Sequence, residues 1–243
     1  MSFKLFILKI ATLNIDWGNK QKSKSHIQKI ETELLKLNSD ILVITESVDS
    51  LKLPSYSYSY KTRAIPQNVI YEGINYTEYL NGETAIRVAV FSKYESIRSF
   101  PVSDEYTSVC NEFITEIGPL TIYATIVGTR FITMPYAKTE LDNCISDCLR
   151  ISSLTDSLCL AGDLNTSLRE EEIFHEIKHL SSRKALIDLS EKCKMDLTTK
   201  NIDENIDHIL LPAKLNQKFK ATPSIFVQKN VLSDHNGILV EIN

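Results

Sequence analysis

Asp163 and Asn165 follow the apolar run Leu158-Cys159-Leu160 and stand two apart at what reads as the end of a buried strand opening into a loop. In an extended chain, residues i and i+2 point to one face, so this carboxylate and carboxamide can converge on a single small group. The first accepts protons and the second donates hydrogen bonds, which suits a water being deprotonated beside an oxyanion. Similar residues recur at other strand ends. Asn14 and Asp16 close the run Phe6–Leu13, and Glu46 closes Asp40–Thr45. Asp207 opens the run ending at Leu211, and Asp234 with His235 precedes Gly237–Ile242. Turn or N-cap duty explains any one of them alone. If all five ends converge, their carboxylates repel unless a cation lies among them, and oxygen ligands suit Mg²⁺ or Mn²⁺ rather than Zn²⁺. His235 adds an imidazole that Asp207 can orient.

The elements that must position these residues can be read from the spacing. Phe6–Leu13 reads as a strand. From Ser25, the residues Ile27, Ile30, Leu34, Leu35 and Leu37 keep a helical period that Asn38 ends. Asp40–Thr45 is a second buried strand. Tyr56, Tyr58 and Tyr60 alternate with Ser, which predicts three rings on one strand face. Ala64–Gly82 has no clear period and reads as a long irregular loop. Strands follow at Ala85–Ser92, Ser108–Ile117 and Leu120–Val127, the last two joined by a turn at Gly118-Pro119 that predicts antiparallel neighbours. Leu141, Cys144, Ile145, Cys148 and Ile151 mark a helix with core-facing thiols. A helical pattern over Glu170–Ser181, a short apolar Ala185–Leu189, and strands at Ile206–Leu211, Ile225–Gln228 and Gly237–Ile242 complete the chain. No linker or repeat divides it, so residues 1–243 read as one mixed α/β domain.

Composition bounds the alternatives. Hydrophobic residues make up 43% of the 243 and charged ones 24%, ordinary for a globular domain with a sizeable core. The net charge is −4, and 20 of the 27 basic residues are Lys, so no strongly basic face announces a partner. Five Cys, an odd number without a CxxC pair, argue against a disulfide framework and favour a reducing compartment. The N-terminal apolar stretch is too short for a membrane span. A cytoplasmic protein is the expectation.

The ordered set Thr12-Leu13-Asn14-Ile15-Asp16, Ile44-Thr45-Glu46, Gly162-Asp163-Leu164-Asn165, Ile206-Asp207-His208 and Ser233-Asp234-His235 resembles the endonuclease/exonuclease/phosphatase superfamily, the deoxyribonuclease I-like fold. The resemblance spans nearly the whole chain. It implies a four-layered α/β sandwich, two packed mixed β-sheets flanked by helices, with the site at one end of the sheets. It also implies a Mg²⁺-dependent phosphoesterase, with Mn²⁺ able to substitute. Glu46 would be the principal metal ligand, with Asp16 and Asp234 near the ion and Asn14 bonded beside them. Asp163 would orient and deprotonate the attacking water, Asn165 and His235 would hold phosphoryl oxygens, and Asp207 would pair with His235. Where many members place a His or Tyr against the phosphate, this chain offers Thr125, with Arg130 a few residues on.

Nucleic acid is the expected substrate, with Tyr56, Tyr58, Tyr60, Tyr71, Tyr76 and Tyr79 available for stacking and Lys61, Arg63, Arg87 and Arg130 for phosphate contacts. The alternatives are a phosphatase acting on inositol phosphates or another small phosphoester, a 5′-tyrosyl-DNA phosphodiesterase, and a binder without turnover. A rival pattern, His175-Glu176-Ile177-Lys178-His179, matches the zinc motif HExxH. Its Lys178 and the flanking Glu170, Glu171, Glu172 and Arg183 read instead as a solvated helix face, and no third ligand follows.

Overall fold

The computed structural model describes residues 8–17, 24–80, 83–128, 135–170 and 176–243, without the side chains of 24–27, 79 and 176–179. Two six-stranded sheets face each other. The first runs β13-β14-β1-β2-β6-β3 and is built from β1 (Leu8–Asn14), β2 (Ile41–Val48), β3 (Tyr58–Lys61), β6 (Ala85–Ser92), β13 (Ala221–Val227) and β14 (Gly237–Ile242). The second runs β11-β12-β10-β9-β8-β7, from β7 (Ser96–Phe100), β8 (Ser108–Thr115), β9 (Gly118–Ile126), β10 (Leu158–Asp163), β11 (Met195–Asp196) and β12 (Asp207–Pro212). Both sheets are mixed: β1 pairs parallel with β2 and antiparallel with β14, and β10 pairs parallel with β9 and antiparallel with β12.

Strands buried on both faces read as near-continuous apolar runs, which is why Ile41–Val48 and Leu158–Asp163 were legible. One face of each sheet meets the other sheet, Ile10, Val43 and Val90 lying against Phe113, Ile122 and Ile209. The outer face of the first sheet packs Leu13, Leu42 and Ile44 under Ile30 and Leu34 of α1 (Lys24–Leu37). The second sheet packs Tyr123 and Leu160 against Cys144 and Cys148 of α3 (Tyr136–Ser152) and Leu186 of α4 (Glu176–Lys192). The result is the expected helix, sheet, sheet, helix order. All five Cys are buried and free. Asn38 ends α1 at φ 49, the left-handed conformation of a helix C-cap.

Several local expectations change. Ala64–Gly82 is not structureless: it holds the hairpin β4 (Ile70–Tyr71) and β5 (Ile74–Asn75) and the single turn α2 (Tyr76–Tyr79), elements too short to show a period. Ala185–Leu189 is part of α4, and a short helix, α5 (Ala213–Lys218), precedes β13. The three alternating tyrosines do not share a face. Tyr56 precedes β3 and packs with Phe91 on the outer side, its hydroxyl bonded to Ser39 at 2.7 Å, whereas Tyr60 packs edge-on against Phe113 between the sheets.

Strand β10 carries a strict requirement just before Asp163. Gly162 sits at φ +133, and a Cβ there would lie 2.0 Å from the Thr125 carbonyl oxygen of β9. Only glycine lets the two strands approach. Gly162→Ala is expected to cost about 3 kcal/mol or more, seen as a melting temperature lower by roughly 10 °C. A thermal melt unchanged by the substitution would contradict this packing.

Candidate active site

All five strand-end acids' segments emerge at one edge of the sandwich. Asn14 ends β1, Glu46 lies near the end of β2 and Asp163 ends β10; β12 and β14 run the other way, so Asp207 and the turn carrying His235 arrive at that edge from their N-terminal sides. Asn14 pins the two sheets together. Its Nδ2 donates to Glu46 Oε1 at 3.1 Å and to Asp163 Oδ2 at 2.9 Å, while its Oδ1 accepts the Asp16 N–H at 2.8 Å. A carboxamide can use both amide hydrogens and its oxygen at once, so one side chain holds three acids in register.

Three of these residues sit in the left-handed region, Asp16 at φ 43, Glu46 at 49 and Asn165 at 46. Non-glycine residues adopt this region at a cost of order 1–3 kcal/mol and only where the surroundings hold them there. The strand alternation explains why it is used. Leu42 and Ile44 face outward to α1, so a regular continuation would send Glu46 outward as well. The backbone reversal instead brings its carboxylate to Asn14.

Asp163 and Asp207 are register partners on adjacent antiparallel strands, both fully buried. Like charges placed opposite one another repel, and His235 answers them: its Nδ1 lies 2.6 Å from Asp207 Oδ2, and its Nε2 lies 3.8 Å from Asp234 Oδ1. Side-chain atoms of Asp163, Asp207 and His235 lie within 4.8 Å of one another. Burial alone would push the imidazole down, but Asp207, Asp163 and Asp234 outweigh it and hold His235 up to about 10. With Nδ1 bonded to Asp207, the imidazole stands beside the two carboxylates that face each other across β10 and β12. Burial, then Asp207, push Asp163 up to about 8 against the opposing pull of His235. Glu46 is likewise raised by burial, with Asn14 and His235 acting against the shift and Asp16 adding to it.

Asn165 donates its backbone N–H to Asp163 Oδ1 at 2.8 Å, and its side-chain Nδ2 to Asp163 Oδ2 at 3.1 Å and the Val127 carbonyl at 2.9 Å. Asp234 is exposed beside His235. Thr125 is not brought to this group. The residue opposite Asp163 on β9 is Ile126; Thr125 is opposite Gly162 and faces the other side of the sheet, its hydroxyl bonded to Ser108 at 2.8 Å. Arg130 and His175 lie outside the described residues, as do the side chains of Glu176–His179.

Of the proposed phosphate contacts, Lys61 pairs with Asp49 at 2.9 Å, and Arg63 lies 3.9 Å from Glu105. Arg87 is buried. It binds Glu72 at 3.1 Å and Glu140 of α3 at 3.0 Å, and Glu140 also accepts the Gly128 N–H at 2.7 Å. Arg87 thus ties the β4–β5 hairpin to α3 beside Glu46. Sequence reading missed this role, although a lone Arg inside the apolar run Ala85–Ser92 is itself a signal, since such a residue is almost never buried without partners.

His208, next to Asp207, has a structural part. Its Nε2 donates to the Thr166 carbonyl at 2.9 Å, and Nδ1 accepts from Thr199 Oγ1 at 3.0 Å. Burial pushes it down to about 4, below an unfolded value of about 6.5. The unfolded chain therefore takes up the proton first as pH falls, and stability is lost between about pH 6.5 and 4, by roughly 3 kcal/mol in all. Urea unfolding at pH 7 and pH 5 should show the loss, and His208→Gln should reduce it; an equal pH dependence in both proteins would exclude His208 as its source.

A two-sheet α/β sandwich with acids, amides and one charged imidazole gathered at a single sheet edge is the architecture of a phosphoester-hydrolase class. Residues 11–235 match the model of the Endonuclease/Exonuclease/phosphatase family, and the chain belongs to that family. Comparison with curated protein sequences finds no match. Among solved structures, the chain resembles the 3′ phosphatase NExo from Neisseria bound to a product DNA hairpin, at 15% identity and TM-score 0.69, covering 97% of this chain and 99% of that one. It also resembles the endonuclease domain of TRAS1, a telomere-specific non-LTR retrotransposon, at 13% identity and TM-score 0.62, covering 98% and 99%. Truncated TDP2 from Caenorhabditis elegans matches at 17% identity and TM-score 0.61, covering 98% of each chain. These likenesses establish the fold. Among the described residues, no helix is long and apolar enough to cross a membrane.

Proposed function

We propose that this protein is a Mg²⁺-dependent phosphodiesterase that hydrolyses nucleic acid by in-line attack of water. The observation that carries the reading is Asp163 itself: a buried carboxylate held by Asn14 and by Asn165, 4.8 Å or less from the charged His235. A water beside Asp163 is oriented and deprotonated by it. With Nδ1 bonded to Asp207, His235 turns Nε2 toward a phosphoryl oxygen and neutralises its growing charge. Asn165 exchanges its bond to Asp163 for a second phosphoryl oxygen.

Glu46 and Asp16 fit a hard divalent cation. They offer only oxygen, and Glu46 is held above its usual range by burial first and then by the Asp16 charge, against the pull of Asn14, His235 and Arg87. Asp234, exposed beside His235, would be a further ligand. Bound there, Mg²⁺ or Mn²⁺ would supply Lewis acidity at a phosphoryl oxygen.

The nucleic-acid preference is supported by the DNA hairpin bound to NExo and by the retrotransposon origin of TRAS1. The tyrosines support it less than their number suggested, since Tyr56 and Tyr60 are committed to packing. A panel of single- and double-stranded DNA, RNA, a 5′-tyrosyl DNA end and inositol phosphates, at matched Mg²⁺, tests the assignment. Nucleic acid should be cleaved, at a rate falling with added salt. Turnover of inositol phosphates with every nucleic acid left whole would make the protein a small-molecule phosphatase.

A further inference from the structure

The corner formed by Val127 and Gly128, where β9 leaves the second sheet, is held from three directions. The Val127 N–H donates to the Asp163 carbonyl at 2.9 Å, and the Val127 carbonyl accepts from Asn165 Nδ2 at 2.9 Å. The other end of that same peptide group, the Gly128 N–H, donates to Glu140 Oε2 at 2.7 Å. Glu140 is a buried carboxylate in the second turn of α3, and its other oxygen accepts from Arg87 Nη2 at 3.0 Å. Arg87 in turn stands across from Glu46, between the register pairs Thr45↔Val88 and Ser47↔Ile86. One carboxylate therefore spans the two sheets, from the strand beside the candidate metal ligand to the peptide that holds Asn165.

The order of these bonds decides what Glu140 can do. Asn165 Nδ2 faces two acceptors, Asp163 Oδ2 at 3.1 Å and the Val127 carbonyl, and only the NH₂ end of a carboxamide can bond both. When the bond to Asp163 is handed to a phosphoryl oxygen, the bond to Val127 remains and becomes the pivot of the side chain. Asn165, Val127 and Gly128 also line a cavity of about 430 Å³ between α3 and α4, and a side chain facing a cavity is held by its hydrogen bonds rather than by close packing. The pivot is then only as fixed as its peptide. A bond to an ionised acceptor is shorter and roughly twice as strong as one between neutral groups, and bonds at the two ends of one peptide polarise each other. The Glu140 carboxylate, paired with Arg87, thus holds the Gly128 N–H and makes the Val127 carbonyl a better acceptor for Asn165.

We propose that Glu140 is a positioning residue for the hydrolytic step: it sets Asn165 toward the phosphoryl oxygen through the peptide between Val127 and Gly128, with Arg87 fixing it to the strand that faces Glu46. The proposal rests on the phosphoesterase reading and adds to it a residue that touches neither substrate nor metal. It holds whether or not the phosphoester is nucleic acid. An ion pair that only stabilises the fold acts on every property of the protein alike, whereas a positioning residue acts through Asn165.

The test is a double-mutant cycle on the full chain with Mg²⁺, using whichever phosphoester of the substrate panel the wild-type protein turns over. Glu140→Gln should lower kcat about 10–100-fold, the range for losing a group that orients a functional side chain, with KM little changed. In an Asn165→Ala background the same substitution should alter kcat by no more than about twofold, because the residue it acts through is already gone. Glu140→Gln leaves the buried Arg87 with one carboxylate fewer. If that variant does not fold, Arg87→Met combined with Glu140→Met replaces it, an apolar pair that leaves no buried cation unmatched and still deprives the Gly128 N–H of its acceptor. A thermal melt shows which variants are folded. Equal fold-losses in the two backgrounds, or a kcat for the folded variant within about twofold of wild type, overturn the proposal and leave the phosphoesterase reading intact. If the wild-type protein hydrolyses no member of the panel, that reading falls, and the role of Glu140 with it.

Discussion

Replacing Asp163 by Asn should lower kcat by ~10²–10⁴-fold, the share that a positioned general base contributes, while the protein remains folded. The two effects separate because they depend on different properties of the side chain. Asp163 accepts three hydrogen bonds, from Asn14 Nδ2 and from the Asn165 backbone and side chain. A carboxamide in its place turns an NH₂ toward at least one of those donors, at a cost of about 1–3 kcal/mol for the unmet bond. Against that, the substitution removes a carboxylate that burial first, and then Asp207, disfavour, as its carboxyl pushed up to about 8 records. The net change in stability is therefore small, whereas the proton acceptor is lost entirely. Steady-state kinetics beside a thermal melt reads both. Activity within a few-fold of wild type would move Asp163 from chemistry to structure.

The second large effect concerns the cation. Mg²⁺ at ten times its dissociation constant should stabilise the protein by about 1.4 kcal/mol, or roughly 3–6 °C in melting temperature for a chain of this size. Glu46→Gln should abolish that shift, since an amide oxygen is a poor substitute for a half-buried carboxylate beside Asp16. The metal-free variant should melt no lower than the metal-free parent by more than a few degrees: Asn14 Nδ2 still has an oxygen to bond, and the burial cost of the carboxylate and its repulsion with Asp16 are gone. A melt that responds to Mg²⁺ equally in both proteins would place the ion elsewhere. The readout is independent of turnover, so it tests Glu46 as a ligand even where the substrate is mistaken.

Much of this was written in the sequence for a physical reason. Strands buried on both faces must be apolar nearly throughout, so the polar residues that end them are conspicuous: Asn14, Glu46 and Asp163 each break such a run. What remained hidden depends on which face a side chain takes. Thr125 and Ile126 are neighbours, yet a shift of one residue exchanges the two faces of a strand, and only the register with β10 puts Ile126 opposite Asp163. The alternation of Tyr56, Tyr58 and Tyr60 predicted one face, but β3 begins at Tyr58 and leaves Tyr56 outside its pleat. Glu46 reaches the site through a backbone reversal that no side-chain pattern encodes. The ion pairs of Arg87 join residues 15 and 53 positions away, and the cavity beside Asn165 exists only once α3 and α4 pack together.

The central claim, that the acids at this sheet edge form a metal-dependent hydrolytic site, meets its most direct test in one time course. The protein is stripped with chelator and mixed with an end-labelled oligonucleotide, and cleavage is followed before and after Mg²⁺ is restored, with Asp163→Asn run alongside. The expected record is an intact substrate in chelator, cleavage on addition of Mg²⁺, and almost none at any point with Asp163→Asn. Cleavage that continues undiminished in chelator, or that returns equally in the wild-type and Asp163→Asn proteins, would contradict it.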